Sequence, residues 1–103
     1  MTDAEFARAV QRLLDRTSHW TPARWAQRGR ADAVHGLVQR LADAGAEAEG
    51  RPSRPVPRLA SDLALTDQLR VVAADLLAAG AKAPALSAAT EAVRATTREL
   101  ASP

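Results

Sequence analysis

The chain has 103 residues, which suits one domain with a modest core, and it contains no cysteine. The lack of cysteine excludes disulfide bonds, thiolate metal ligands and a cysteine nucleophile. Fourteen basic and twelve acidic residues leave a formal charge of only +2, so the pI near 10.4 reflects the high pKa of arginine rather than a large positive excess.

The apolar fraction is 47%, and alanine is its main contributor. Alanine has the highest helix propensity and loses no side-chain entropy in a helix, so the composition predicts an all-α fold. No segment approaches the roughly 18 apolar residues of a membrane span, and the first residues are acidic, so we expect a cytoplasmic protein with no membrane partner. The heavy use of Ala, Arg, Gly and Pro with a single Lys is typical of a GC-rich genome and favours a bacterial source.

The first predicted helix begins at Thr2, because Thr2 and Glu5 have the spacing of a capping box. Apolar residues then recur at i, i+4, i+7 and i+8, which is typical of a helix with one buried face. The pattern ends at residues 17–20. The buried face consists of Phe6, Val10, Leu13 and Leu14.

A second helix is predicted to follow, with Thr21 as its N-cap and Pro22 in the first position. Trp20 directly precedes the cap and Trp25 lies four positions after it, which is the spacing of a hydrophobic staple. We therefore expect the two indoles to be in contact at this corner.

The second helix carries an apolar stripe and a line of small residues. The helix ends at Gly45 or at Gly50, since either glycine suits a helix C-terminus. The small residues would let another helix approach closely, although Gly29 also fits a break, because an interior glycine costs about 1 kcal/mol relative to alanine. The apolar stripe contains Val34, Leu37, Val38, Leu41 and Ala44, and the small residues are Ala26, Gly29, Ala33 and Gly36.

A proline-rich linker, residues 50–57, follows, and its three prolines forbid a continuous helix or a central strand. Beyond it, residues 59–63 predict a short helical turn. Thr66 is the predicted cap of a third helix that ends at Gly80, and Pro84 opens a fourth. The expected buried residues of these two helices are Leu69, Val72, Ala73, Leu76, Leu77, Leu86, Ala89, Val93, Thr96 and Leu100.

Together these elements predict a single helical domain, a small antiparallel four-helix bundle made of two αα-hairpins. Short connections favour antiparallel neighbours, which makes residues 2–48 one hairpin and residues 58–101 the other. The linker at residues 50–57 lets the two hairpins dock face to face. The residues expected at the centre of the core are Leu37, Leu41, Leu69, Leu76 and Val93.

The sequence contains no recognisable catalytic or metal-binding pattern. The two histidines, His19 and His35, lack a metal-ligand spacing such as His-Glu-x-x-His, and His35 is interpreted as a residue on the flank of a helix. The chain also lacks a Gly-x-Ser-x-Gly motif and a glycine-rich phosphate loop. We therefore expect a protein that is not an enzyme and that uses no metal or cofactor.

The preferred interpretation is a non-enzymatic protein-protein interaction or small regulatory module that associates with a protein partner or with itself. Helix faces lined by Ala and Gly permit close helix contact, and a chain with few large apolar side chains gains burial when it dimerises. Trp20 and Trp25 are the predicted anchor of this interaction.

Nucleic-acid binding is the alternative. Arg24 and Arg28 lie near the tryptophans and Arg51 and Arg54 on the linker, where guanidinium groups would contact phosphates and aromatic rings would stack on bases. The helix after Gly29, however, lacks the polar base-reading groups of a recognition helix. A further basic row on the first helix consists of Arg8, Arg12 and Arg16.

Overall fold

The computed structural model describes residues 2–101 and shows an all-α protein, as the composition predicted. These residues form no strand. None of the helices in this range is both long and apolar enough to cross a membrane. The helices are α1 (Asp3–Thr17), α2 (Pro22–Trp25), α3 (Arg30–Ala48), α4 (Leu65–Ala78) and α5 (Ala83–Ala101), and a 3₁₀ turn (Asp62–Ala64) precedes α4.

The start of α1 follows the predicted capping signal. The Thr2 hydroxyl oxygen accepts a hydrogen bond from the backbone N–H of Glu5 at 3.1 Å. The same hydroxyl donates to the Glu5 carboxylate at 3.3 Å, so the two side chains of the capping box meet directly. The predicted inner face is confirmed, since Phe6, Val10, Leu13 and Leu14 are all buried.

Of the two alternatives at Gly29, continuation or a break, the structure has the break, because the segment after Thr21 forms α2 and α3. Arg28 and Gly29 both adopt the left-handed conformation, with φ of 54° and 67°, and an α-helix cannot continue through such residues. The break lets α2 contact the 3₁₀ turn while α3 leaves in another direction to pack on α4 and α5. Gly29 therefore acts as the break that the sequence left open.

At Gly29 and Gly36, two of the four small residues, no other helix approaches closely within residues 2–101. A Cβ atom placed on Gly29 or Gly36 would meet no described atom within 4 Å. The close approach occurs at Gly45, where a Cβ would lie 3.8 Å from the Cα of Leu76 in α4. Gly45 is therefore a packing position inside α3 and does not end the helix.

The end of α3 is at Gly50, the second of the two predicted positions. Gly50 has a φ of 70°, and its N–H donates to the Glu47 carbonyl at 3.0 Å. The N–H of Arg51 donates to the Ala46 carbonyl at 2.8 Å, which completes a Schellman motif. A left-handed glycine is the residue that this motif favours.

The start of α4 differs from the prediction that Thr66 caps it. The Thr66 hydroxyl donates to the Leu63 carbonyl at 3.3 Å instead, because the 3₁₀ turn already begins the helical path. Ser61 caps that turn by accepting from the Leu63 N–H at 3.2 Å. The other two signals are confirmed, since Gly80 follows the end of α4 with a φ of 68° and Pro84 lies in the first turn of α5.

The linker is longer than predicted and runs back along α3. Residues 51–61, here called the strap, carry no helix or strand. The strap ends beside the start of α3, where Arg58 contacts Asp32 at 2.6 Å and Asp62 at 3.1 Å. Since α3 and α4 both start near Arg58 and approach again at Gly45, they run in the same direction. The antiparallel arrangement predicted for the bundle is therefore not confirmed at this pair, whose two helices belong to different predicted hairpins.

The helices of each predicted hairpin are not the closest neighbours. Among residues 2–101, α3 packs mainly on α4 and then on α5, whereas α1 packs mainly on α5 and then on α4. Short connections favoured neighbours in sequence, but the break after α2 and the returning strap allow helices from the two halves to alternate.

The core lies between these four longer helices. All five residues expected at its centre are at most 2% exposed: Leu37, Leu41, Leu69, Leu76 and Val93. Three buried threonines, Thr17, Thr90 and Thr96, each donate the hydroxyl to the carbonyl four residues earlier, which satisfies these polar groups inside apolar surroundings.

Candidate functional site

The tryptophan corner joins α1 to α2. The indole rings of Trp20 and Trp25 meet edge to face, with centroids 4.9 Å apart and planes at 68°, so the predicted contact is present. Thr21 caps α2 by accepting from the Arg24 N–H at 3.2 Å. The two indoles are only 4% and 1% exposed, so the corner belongs to the core.

Two arginines cover the outer face of Trp20. The guanidinium carbons of Arg24 and Arg30 lie 5.0 and 5.4 Å from the centroid of the Trp20 ring, within the range of cation–π contact. Arg30 also donates to the Arg24 carbonyl at 3.3 Å and to the Gln27 side chain at 3.2 Å. These contacts leave Trp20 little open surface on which a base would stack.

The strap is held on α3 by the amide of Gln39. Its Oε1 accepts from the Val56 N–H at 2.7 Å, and its Nε2 donates to the Arg54 carbonyl at 3.0 Å. Nε2 also donates to Asp43, one turn further along α3, at 2.9 Å. An extended segment with three prolines has few backbone donors of its own, and Gln39 supplies the pairing that a neighbouring strand would provide.

His35 provides a second contact to the strap, one turn before Gln39. Its Nε2 lies 2.9 Å from the Val56 carbonyl. A carbonyl only accepts, so Nε2 carries the proton and donates it. The sequence predicts His35 to be a helix-flank residue, and no pattern in it marks Gln39. Their i, i+4 spacing was the available signal, but nothing local connects it to a segment 15 to 21 residues away.

The far end of the strap is fixed by Arg58 and Gln68. The side chain of Gln68 donates to the Pro57 carbonyl at 3.0 Å. The hydrogen bond to Asp32, supported by Asp62, raises the pKa of the Arg58 guanidinium above its ordinary value. Arg58 is 41% exposed in its side chain, so these ion pairs position the chain more than they stabilise it.

The structure does not bring the four predicted arginines into one patch. Arg24 and Arg28 lie just before the start of α3, whereas Arg51 follows its end. A helix rises about 1.5 Å per residue, so α3 separates these groups by more than about 20 Å. Arg51 is paired with Glu49 at 3.2 Å, and that hydrogen bond raises its pKa. Arg54 lies on the strap between these two ends.

We expect Gln39→Met to release the strap while the helices stay folded. The substitution keeps the length of the side chain but removes the acceptor for Val56, so the Val56 amide should exchange its hydrogen at least about tenfold faster. Gln11→Met is the matched control, because Gln11 donates to Asp15 at 2.8 Å in the same i, i+4 arrangement but lies on α1. Equal protection of the Val56 amide in both variants, measured by NMR, would show that Gln39 does not hold the strap.

An open groove lies between α3 and α5. It has a volume of about 520 Å³. A second depression of about 540 Å³ beside the strap shares Arg40, Ala44 and Glu47 with it, and this exposed face of α3 between the two depressions is here called the ridge. Most of the lining of the groove is alanine, whose side chain ends at Cβ. The lining residues are Arg40, Leu41, Ala44 and Glu47 of α3 and Ala85, Ala88, Ala89, Glu91, Ala92 and Ala95 of α5.

The rim of this groove carries opposite charges on α3. Arg40 and Glu47 are both exposed, and neither forms an ion pair within residues 2–101. They are seven residues apart, which is two helical turns or about 10 Å on one face. On α5, Glu91 is already paired with Arg94 at 3.2 Å. The free charges of the rim therefore lie along α3.

In the part of the chain that the structure describes, no group of three or more His, Asp or Glu side chains is placed to hold a metal ion. Comparisons of the chain with protein-family models, with curated proteins and with solved structures gave no match. The groove between α3 and α5 is the candidate site because of its open shape and its alanine lining.

Proposed function

We propose that this chain is a non-enzymatic helical interaction module, a bundle of four longer helices that binds a helix of a protein partner in the groove between α3 and α5. The observation that carries the proposal is the alanine lining of an open groove of about 520 Å³. Alanine ridges let a partner backbone approach closely, and the space beside them accepts its larger side chains.

The two tryptophans have a structural role and do not contact the proposed partner. Trp20 and Trp25 are buried, so we assign them to holding the corner between α1 and α2 and not to touching the partner. The surface that meets the partner instead consists of small apolar residues of α5 and the ridge of α3 around Ala44.

The alternative of nucleic-acid binding has weaker support. Its four arginines lie near the two ends of α3 and on the strap between them. Trp20 is already covered by Arg24 and Arg30. Arg51 is paired with Glu49. A nucleic-acid site requires unpaired positive charge along a continuous path. Binding to a single-stranded oligonucleotide that weakens steeply with salt, and that is lost in Arg24→Ala, would favour this alternative.

The proposal is tested by filling the groove. Ala88 is exposed and lines the groove, so Ala88→Arg should leave the fold intact and block a partner helix. Ala74→Arg is the matched control, because Ala74 is exposed on α4, away from the groove. We expect the wild type and Ala74→Arg to capture the same protein from a nuclease-treated lysate at high salt, and Ala88→Arg to lose at least about nine-tenths of it.

Circular dichroism of each variant establishes whether the helices are intact. Capture that is equal for Ala88→Arg and Ala74→Arg would contradict the proposal, since association would then use another surface. Material removed by nuclease or by moderate salt would point to the nucleic-acid alternative.

A further inference from the structure

We infer that the partner for which the groove is built is a second copy of this chain, bound about a two-fold axis beside Ala44 of α3. This inference rests on the proposed function, since it names the occupant of the same groove. In the dimer, the α3 ridge of each copy lies in the groove of the other, and Arg40 of each copy pairs with Glu47 of its partner.

Charge complementarity selects this occupant. On the exposed ridge of α3, Arg40 and Glu47 carry opposite charges that no ion pair neutralises within residues 2–101. Asp43 lies between them, and its carboxylate accepts a hydrogen bond from Gln39 Nε2 at 2.9 Å. A helix that complements this ridge needs an acid and a base two turns apart in the reverse order. An antiparallel copy of α3 has that pattern, so both ion pairs form at once.

Side-chain size supports the same arrangement. The midpoint between Arg40 and Glu47 falls between Asp43 and Ala44, which is where two copies of α3 would approach most closely about the axis. Ala44 is half-buried and lies between the two depressions that flank the ridge, so its Cβ does not hold the helices apart. The exposed alanines of α5, Ala85 and Ala88, leave room for the partner ridge.

Charge reversal tests the inference by sedimentation velocity. In Arg40→Glu, both intersubunit pairs become acid against acid, and in Glu47→Arg both become base against base. We expect each variant to dimerise at least about tenfold more weakly than the wild type. A mixture of the two variants restores both attractive pairs, so it should form a heterodimer with an affinity near that of the wild type. The double variant R40E/E47R should also recover.

Several outcomes would overturn the inference. A wild-type chain that stays monomeric up to millimolar concentration excludes the dimer, while the capture experiment with Ala88→Arg still tests the module itself. A dimer that neither reversal weakens, or single variants that fail to recover when mixed, exclude this interface. Circular dichroism detects any loss of helix content in the single variants. If one of them loses helix, the test is the dimer affinity of R40E/E47R, which keeps both charges in exchanged positions.

Discussion

Trp25→Ala should lower the melting temperature of the protein by at least about 12 °C. Removing a buried Trp side chain costs about 3–5 kcal/mol, and each kcal/mol corresponds to about 4–8 °C in a domain of this size. Trp25 is 1% exposed and packs edge to face against Trp20, so its loss leaves a cavity at the centre of the corner. Thermal unfolding followed by circular dichroism at 222 nm measures the shift.

The conservative variant Trp25→Phe separates packing from other effects. Phenylalanine keeps an aromatic ring against Trp20 and fills part of the volume, so it should lose clearly less stability than alanine. A melting temperature for Trp25→Ala within about 3 °C of the wild type would contradict burial of the indole, because a void of this size cannot be neutral. If Trp25→Ala keeps the melting temperature of the wild type but no longer captures the partner, Trp25 belongs to the interaction surface, as the sequence predicted.

Local signals explain most of what the sequence predicted correctly. Thr2, Gly50 and Gly80 mark helix ends through residues only a few positions away, and the central core leucines follow a 3.6-residue period. Gly29 shows the limit of such signals. A glycine inside a helical pattern permits either continuation or a break, and here the contact of α2 with the distant 3₁₀ turn accompanies the break.

Long-range pairing explains what was missed. Gln39 and His35 contact strap backbone 15 to 21 residues away, and side-chain bonds to an extended backbone follow no period in the sequence. The direction of the strap then determines that α4 starts beside the start of α3, which no local rule predicts. For the candidate site, the sequence indicated only that faces lined by Ala and Gly permit close contact, and the groove itself depends on how α3 and α5 are placed.

At Gly45, where α3 contacts α4, a small side chain should raise the free energy of unfolding and a large one should lower it. A Cβ at Gly45 would lie 3.8 Å from Leu76 Cα, which is ordinary van der Waals contact, so Gly45→Ala fits and gains up to about 1 kcal/mol of helix propensity. The further carbons in Gly45→Leu would press on the α4 backbone, and such overpacking costs about 1–3 kcal/mol. Urea unfolding of both variants measures the two changes.

Gly36→Ala isolates the propensity gain from the packing effect. Gly36 lies in the same helix, but a Cβ there would meet no described atom within 4 Å, so alanine should stabilise it by about the same 1 kcal/mol. Because Gly36 is exposed and Gly45 is buried, only the second position should reject leucine. If Gly45→Leu proved as stable as Gly45→Ala, α3 and α4 would not approach at this point, and the parallel pairing that places the strap and the groove would be wrong.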